Sequence, residues 1–214
     1  MKAAGDARSL VFPLLMTGFL LADWLVDQGF RGAAQVIATS ASWRTGDALG
    51  VHLEGRVHRV GLAAKRNLDF VRAPGAFDEV RADPEADAVA QRPSVLVDMA
   101  RAAPVMGALR RWLGPLLVAH LAVGITHWQD RTGPDATGPA PEWFFAPAHV
   151  AKRDAEWGRG ELRRRADAAS LALLPRIRRV VAIEERHGAA ALRDGGVRLV
   201  RGEVPPFTGL VAAF

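Results

Sequence analysis

The chain predicts an α/β protein: a doubly wound, mostly parallel sheet of about six strands, with helices on both faces and further helices toward the C-terminus. Three observations carry this expectation. Short apolar runs without two-residue alternation recur at 36–39, 57–63, 94–99 and 116–123, the pattern of strands covered on both faces. Segments of helical character separate them, and such alternation belongs to parallel crossovers. Of the 214 residues, 50% are hydrophobic and 24% charged, an ordinary balance for a chain that buries a sizeable core.

The first element is the apolar stretch LVFPLLMTGFLLADWLV at 10–26, with Lys2 and Arg8 ahead of it as in a signal peptide. Asp23 and Asp27 interrupt it and no A-x-A-like cleavage site follows. It also falls short of the roughly 20 apolar residues a membrane span needs. The expectation is a buried helix over 14–28, closed by Gly29, in a cytoplasmic protein without a membrane partner; an N-terminal anchor is the alternative. Strand one (36–39) leads to a helix over 43–54, and strand two (57–63) to a short helix over 65–72. A short third strand is expected at 77–81, a loop or weak helix at 83–92, strand four at 94–99, a helix over 101–112 and strand five at 116–123. Residues 126–141, broken by Gly133, Pro134, Gly138, Pro139 and Pro141, form a long loop beyond the carboxyl end of strand five, the edge where such sheets bind ligands. A sixth strand at 143–146 and helices over 149–157 and 161–182 follow, the latter kinked or split at Pro175; the tail, 197–214, reads as extended and turn-rich. The expected organisation is an N-terminal helix (1–30), a Rossmann-like dinucleotide-binding domain (31–158), and a C-terminal helical segment with its tail (159–214).

The most informative stretch is QVIATSASWRTGDAL, residues 35–49. A buried strand, a turn of small residues (Ser40, Ala41, Ser42) and a helix start with Arg44 and Thr45 make a turn that aims free backbone N–H groups at a phosphate. The G-x-G-x-x-G pattern is absent, so the stretch is equally compatible with an ordinary strand-to-helix connection. At the end of strand two, where a site for NAD or S-adenosylmethionine usually has an acid, the chain reads Ala63-Ala64-Lys65-Arg66-Asn67. Two cations there suit a 2′-phosphate, hence NADP(H) over NAD, or they solvate a helix start. Asp98 ends strand four near the expected cleft, in a position that also suits a turn or cap. His120 falls inside strand five as a core residue, whereas His127 and Trp128 open the long loop, where a proton donor or nicotinamide contact fits.

Other chemistries are disfavoured. The chain has no cysteine, so neither disulfides nor thiolate metal sites form. No His/Asp/Glu spacing suggests zinc, and the G-x-S-x-G elbow is missing. The net charge of +5 comes from arginines interleaved with Asp and Glu, which argues against a nucleic-acid partner.

Several segments together resemble the medium-chain dehydrogenase/reductase superfamily, within an uncharacterised, quinone-oxidoreductase-like group: PLLMTGFLLADWL (13–25), QVIATSASWRTG (35–46), VGLAAKRNLDFV (60–71), VLVDMA (95–100), VGITHW (123–128), PEWFFAPAHVAKRDAEWG (141–158) and VPPFTGLV near the end. The resemblance implies a zinc-independent Rossmann-type fold with a nicotinamide cofactor, NADP(H). By position it implies Ser40, Ala41, Ser42, Arg44 and Thr45 around the pyrophosphate, and Lys65, Arg66 and Asn67 by the adenosine ribose and its phosphate. Gly124, Thr126 and His127, with Phe145 and Ala146, would lie near the nicotinamide; Thr17 and Phe19 match an element facing the cleft. The chain departs from the pattern at Gly18, where relatives carry Ser, and at Arg44, where they carry Lys. Superfamily members begin with a GroES-like β-domain, and nothing before Leu10 reads as one, so the expectation is the nucleotide-binding half alone, its uncovered apolar surface favouring a homo-oligomer. The expected function is an NADP(H)-dependent oxidoreductase domain acting on a small-molecule carbonyl, quinone or enoyl substrate, with His127 as proton donor. The alternative is a non-catalytic nucleotide-binding or interaction module; a methyltransferase is disfavoured by the missing acid after strand two.

Overall fold

The computed structural model describes residues 2–42, 44–99, 103–123, 138–178, 182–201, 203–205 and 208–213. Six strands, β1 (Gln35–Ala38), β2 (His58–Ala63), β3 (Glu79–Ala82), β4 (Ser94–Asp98), β5 (Leu117–Ala122) and β6 (Pro141–Trp143), join in the order β3-β2-β1-β4-β5-β6. Every pairing is parallel. The strand order reverses between β1 and β4, which makes that point the topological switch of a Rossmann sheet. Val36 stands beside Arg59 and Val95, and Ile37 beside Val60 and Leu96, so side chains line up in rows across the sheet. Val36, Ala38, Val95, Val97 and Leu121 point to one face, where α1 (Lys2–Asp27) and α2 (Arg44–His52) cover them with Leu21, Leu25 and Leu49, joined by Leu53 just after α2. Ile37, Val60, Leu62 and Leu96 point to the other, where they meet Leu109 and Leu113 of a later helix. Apolar rows on both faces are the physical reason the strands read as unbroken apolar runs.

The remaining elements follow the expected order with shifted bounds. A 3-10 turn at Lys65–Asn67 leads into α3 (Leu68–Arg72), and another covers Asp83–Ala88. The helix that supplies Leu109 and Leu113 is α4 (Ala103–Leu113). α5 (Ala146–Trp157) begins earlier than expected because a proline fits its first turn, which confines β6 to residues ahead of it. α1 starts at Lys2 and passes through Pro13 without ending. Pro13 is exposed, on the solvent side of the helix, where a proline is tolerated more easily than on its buried face. Among the described residues no helix is long and apolar enough to cross a membrane.

The C-terminal part differs most. The helix expected over 161–182 is α6 (Glu161–Arg178), followed by β7 (Ala182–His187). The tail expected to be extended from 197 instead continues a helix, α7 (Gly188–Val200), before β8 (Thr208–Ala213). β7 and β8 pair in parallel as a second, two-stranded sheet with α7 as the crossover.

Two ionic clusters fix the frame. Asp23 on α1 accepts from Arg153 Nε at 2.6 Å and lies 2.6 Å from His149 Nε2, both on α5, while Arg153 also reaches Asp27 at 3.0 Å. At the opposite edge Asp78 accepts from the Arg59 amide, Nε and Nη2 at 2.8, 2.9 and 2.6 Å. Arg59 thereby holds the Asp78 carboxyl down to about 2, from an ordinary 3.8. The stabilisation is complete above the ordinary value and is lost as pH falls through about 2.

Candidate functional site

The chain leaves β1 at the switch point through Thr39, Ser40, Ala41 and Ser42. Ser40 has φ +48°, a left-handed conformation that costs a non-glycine residue about 1–2 kcal/mol. Ala41 is buried, its amide donating to the Leu62 carbonyl at 2.8 Å. Its methyl lies against Gly61 of β2, where an added Cβ would come within 3.1 Å of it and 2.9 Å of Phe77. Gly46, in the first turn of α2, approaches so closely that a Cβ there would sit 2.9 Å from the Ala41 carbonyl oxygen. Tight helix-to-crossover packing of this kind is what the last glycine of a dinucleotide fingerprint provides. Among the described residues the amides of Ser40 and Ser42 donate to no backbone carbonyl. They stand beside the start of α2, whose first-turn amides have no intrahelical acceptor, so the crossover concentrates donors suited to an anion.

The end of β2 joins this edge. Asn67 Nδ2 lies 3.5 Å from Ser42 Oγ, and Lys65 and Arg66 beside it are exposed. The structure therefore brings together Ser40, Ala41, Ser42, Lys65, Arg66 and Asn67, which are separated by more than twenty residues in sequence. Thr45 is buried in the first turn of α2. Arg44 is buried as well: Nη1 donates to Asp47 Oδ2 at 2.7 Å, and the guanidinium lies 4.4 Å above the Phe70 ring. Burial pushes the Asp47 carboxyl up to about 6 and the Arg44 guanidinium down, so desolvation outweighs the pair's attraction in both partners. Asp47 gave no functional signal in the sequence, because only the covering elements show that it is buried.

Thr17 donates its hydroxyl to the Pro13 carbonyl one turn back, at 2.9 Å. Its neighbour Gly18 touches α2: an added Cβ would lie 2.5 Å from the Ala48 methyl and 2.6 Å from the Thr45 carbonyl oxygen. Gly18, not Thr17, is thus the residue packed on the first turn of α2, whereas Phe19 lies edge-on to His52 at that helix's far end, 5.3 Å between ring centres. Asp98, at the end of β4, turns inward and accepts from the Thr39 hydroxyl at 3.0 Å. Phe145, following β6 on the same edge of the sheet, is 67% exposed. Gly124, Thr126, His127 and Trp128 lie outside the described residues.

A protein-family model described as "Protein of unknown function (DUF2855)" matches residues 1–205. Among solved structures the chain is similar to galactitol-1-phosphate dehydrogenase from Escherichia coli, with 12% identity and a TM-score of 0.53 over 90% of this chain and 57% of that one. A weaker likeness, at 13% identity and a TM-score of 0.47, is to the human synaptic vesicle membrane protein VAT-1 homolog-like protein, over 91% of this chain and 58% of that one. The chain thus spans less than three fifths of either structure. The likeness to the dehydrogenase bears out the doubly wound fold. None of the curated proteins matches the chain.

Proposed function

The chain belongs to the DUF2855 family of proteins of unknown function, and we propose that it is the NADP(H)-binding part of a zinc-independent, medium-chain reductase-like oxidoreductase. Its substrate class is a small carbonyl, quinone or enoyl compound. The observation that carries this reading is the edge formed by the β1 crossover and the end of β2. Backbone donors at Ser40 and Ser42 lie at the switch point, and two exposed cations, Lys65 and Arg66, stand where a ribose-binding acid would favour NAD. In this reading the main-chain amides of the crossover bind the pyrophosphate, and Lys65 and Arg66 pair with the 2′-phosphate through charge-assisted hydrogen bonds. A bound nicotinamide supplies the hydride chemistry. In the same reading Phe145, with Gly124 and Thr126, would lie near the nicotinamide, and His127 would be the proton donor to substrate.

Fluorescence titration with NADPH and NADH tests the assignment. NADPH is expected to bind more tightly than NADH. Lys65→Ala combined with Arg66→Ala should remove roughly 2 kcal/mol of NADPH binding, about thirtyfold in Kd, as expected for lost charged hydrogen bonds. NADH affinity should stay within about threefold, because no phosphate contact is lost. Equal weakening of both nucleotides, or indifference to the double change, would remove the 2′-phosphate from Lys65 and Arg66. Binding of S-adenosylmethionine in place of either nucleotide would overturn the cofactor class.

A further inference from the structure

The geometry points to a positioning relay of Arg110, His120 and Asp98 that sets the crossover edge from beneath. Arg110 lies on the buried stripe of α4, four residues after Met106 and three before Leu113, a place for an apolar side chain. Its Nη2 is 2.9 Å from His120 Nδ1 and donates to the Pro139 carbonyl at 3.2 Å. A guanidinium offers no acceptor, so His120 Nδ1 carries the lone pair and the imidazole proton resides on Nε2. Nε2 makes no hydrogen bond among the described residues but faces Asp98 Oδ2 at 3.5 Å, an electrostatic contact, and Asp98 Oδ1 accepts from the Thr39 hydroxyl at 3.0 Å. Thr39 Oγ1 in turn accepts from the Met99 amide at 3.1 Å, and the Asp98 carbonyl from the Val123 amide at 2.8 Å.

Thr39, Asp98, His120 and Arg110 are 1, 2, 5 and 9% exposed. Polar groups buried to this degree add little net stability, since apolar residues of similar volume serve about as well. What such a series fixes is direction. It runs from α4 through β5 and β4 to the first residue after β1, across the switch point. Its side branch holds Pro139, two residues ahead of β6. The imidazole keeps the Arg110 cation and the Asp98 carboxylate apart, with Nε2 facing the carboxylate, so that Asp98 stays on Thr39 instead of turning toward a ligand. Thr39 immediately precedes the left-handed Ser40, so the relay determines where the Ser40 and Ser42 amides point. Arg110 and His120 are therefore positioning residues for the anion-binding crossover.

His120→Leu removes the acceptor for Arg110 and the polar group facing Asp98, while His120→Gln retains an acceptor for Arg110 and an N–H facing Asp98. Because the ligand readout rests on the nucleotide reading above, hydrogen exchange is measured first on the ligand-free chain. His120→Leu is expected to speed exchange of the Met99 amide by about tenfold and to weaken NADPH binding by about tenfold, a typical coupling. His120→Gln should stay within about threefold on both readouts, which a space-filling role for His120 would not produce. Unchanged Met99 exchange in His120→Leu would overturn the relay. Faster exchange with an unchanged NADPH Kd would overturn its role in positioning the crossover. A wild-type chain that binds neither nucleotide would instead end the nucleotide reading, with the exchange result still deciding the relay. If His120→Leu does not fold, Arg110→Met, which suits the apolar stripe of α4, is judged by the same two readouts.

Discussion

Arg44→Met is expected to destabilise the fold by about 3–5 kcal/mol, as expected when a buried pair loses one charge. Arg44 and Asp47 are 6% and 0% exposed, so water cannot replace the guanidinium. Asp47 Oδ1 already has no hydrogen-bond partner among the described residues, which leaves the carboxylate dependent on Arg44. Methionine fills the volume over Phe70 but strands the carboxylate. Replacing Asp47 with leucine in the same chain should recover most of the loss, because apolar residues that replace both partners are often neutral. The pH dependence gives a second check. The folded chain holds the Asp47 proton up to about 6, against 3.8 ordinarily. Within that window the folded state binds more protons than the unfolded one, so this group lowers stability as pH rises from about 4 to 6 and has a constant effect above it. Without Arg44 the carboxyl moves higher still, so urea unfolding should show a smaller loss at pH 5 than at pH 8. A loss below about 1 kcal/mol at pH 8 would mean that Asp47 is not buried as described. The same geometry constrains the site: with its charge committed to Asp47, Arg44 supports the crossover from inside the first turn of α2.

Gly18→Ser should cost more than about 3 kcal/mol, at the upper end of overpacking effects. Its Cβ would lie 2.5 Å from the Ala48 methyl, 2.6 Å from the Thr45 carbonyl oxygen and 2.8 Å from the Leu49 amide nitrogen. Two of these three atoms are backbone, so relief requires α1 and α2 to separate. Ala48→Gly removes only the methyl clash and is expected to restore less than half of the stability in chemical unfolding. Full rescue by Ala48→Gly would show that the two backbone contacts are not limiting. The close approach of α1 and α2 is what requires glycine at this position. Since Thr45 belongs to the first turn of α2, separation of the helices would also displace the crossover and weaken NADPH binding.

The sheet was legible because burial on both faces forces apolar runs. β1, β2, β4 and β5 lie within two residues of their expected bounds for that reason. β7 escaped notice because its residues, Glu184, Glu185 and Arg186 among them, are only half-buried or exposed and form no apolar run. α7 was hidden because Gly195 and Gly196 have low helix propensity, and only the packing of Gly195 near Leu210 shows why they are tolerated. The meeting of residues 40–42 with Lys65, Arg66 and Asn67 was predictable once β1 and β2 were adjacent. The Arg44–Asp47 pair was not, because three-residue spacing on a helix ordinarily marks a solvated pair, and only the covering elements bury it. Arg110 did leave a signal: a charged residue on the apolar stripe of α4, opposite a histidine inside a buried strand.

The most direct test is an NADPH titration of the 15N-labelled chain followed by its amide resonances. The largest shifts are expected on the Ser40, Ser42, Thr45 and Gly46 amides, saturating with one nucleotide per chain and persisting for NADH at higher concentration. Shifts concentrated elsewhere while these four amides stay unmoved would contradict pyrophosphate binding at the crossover.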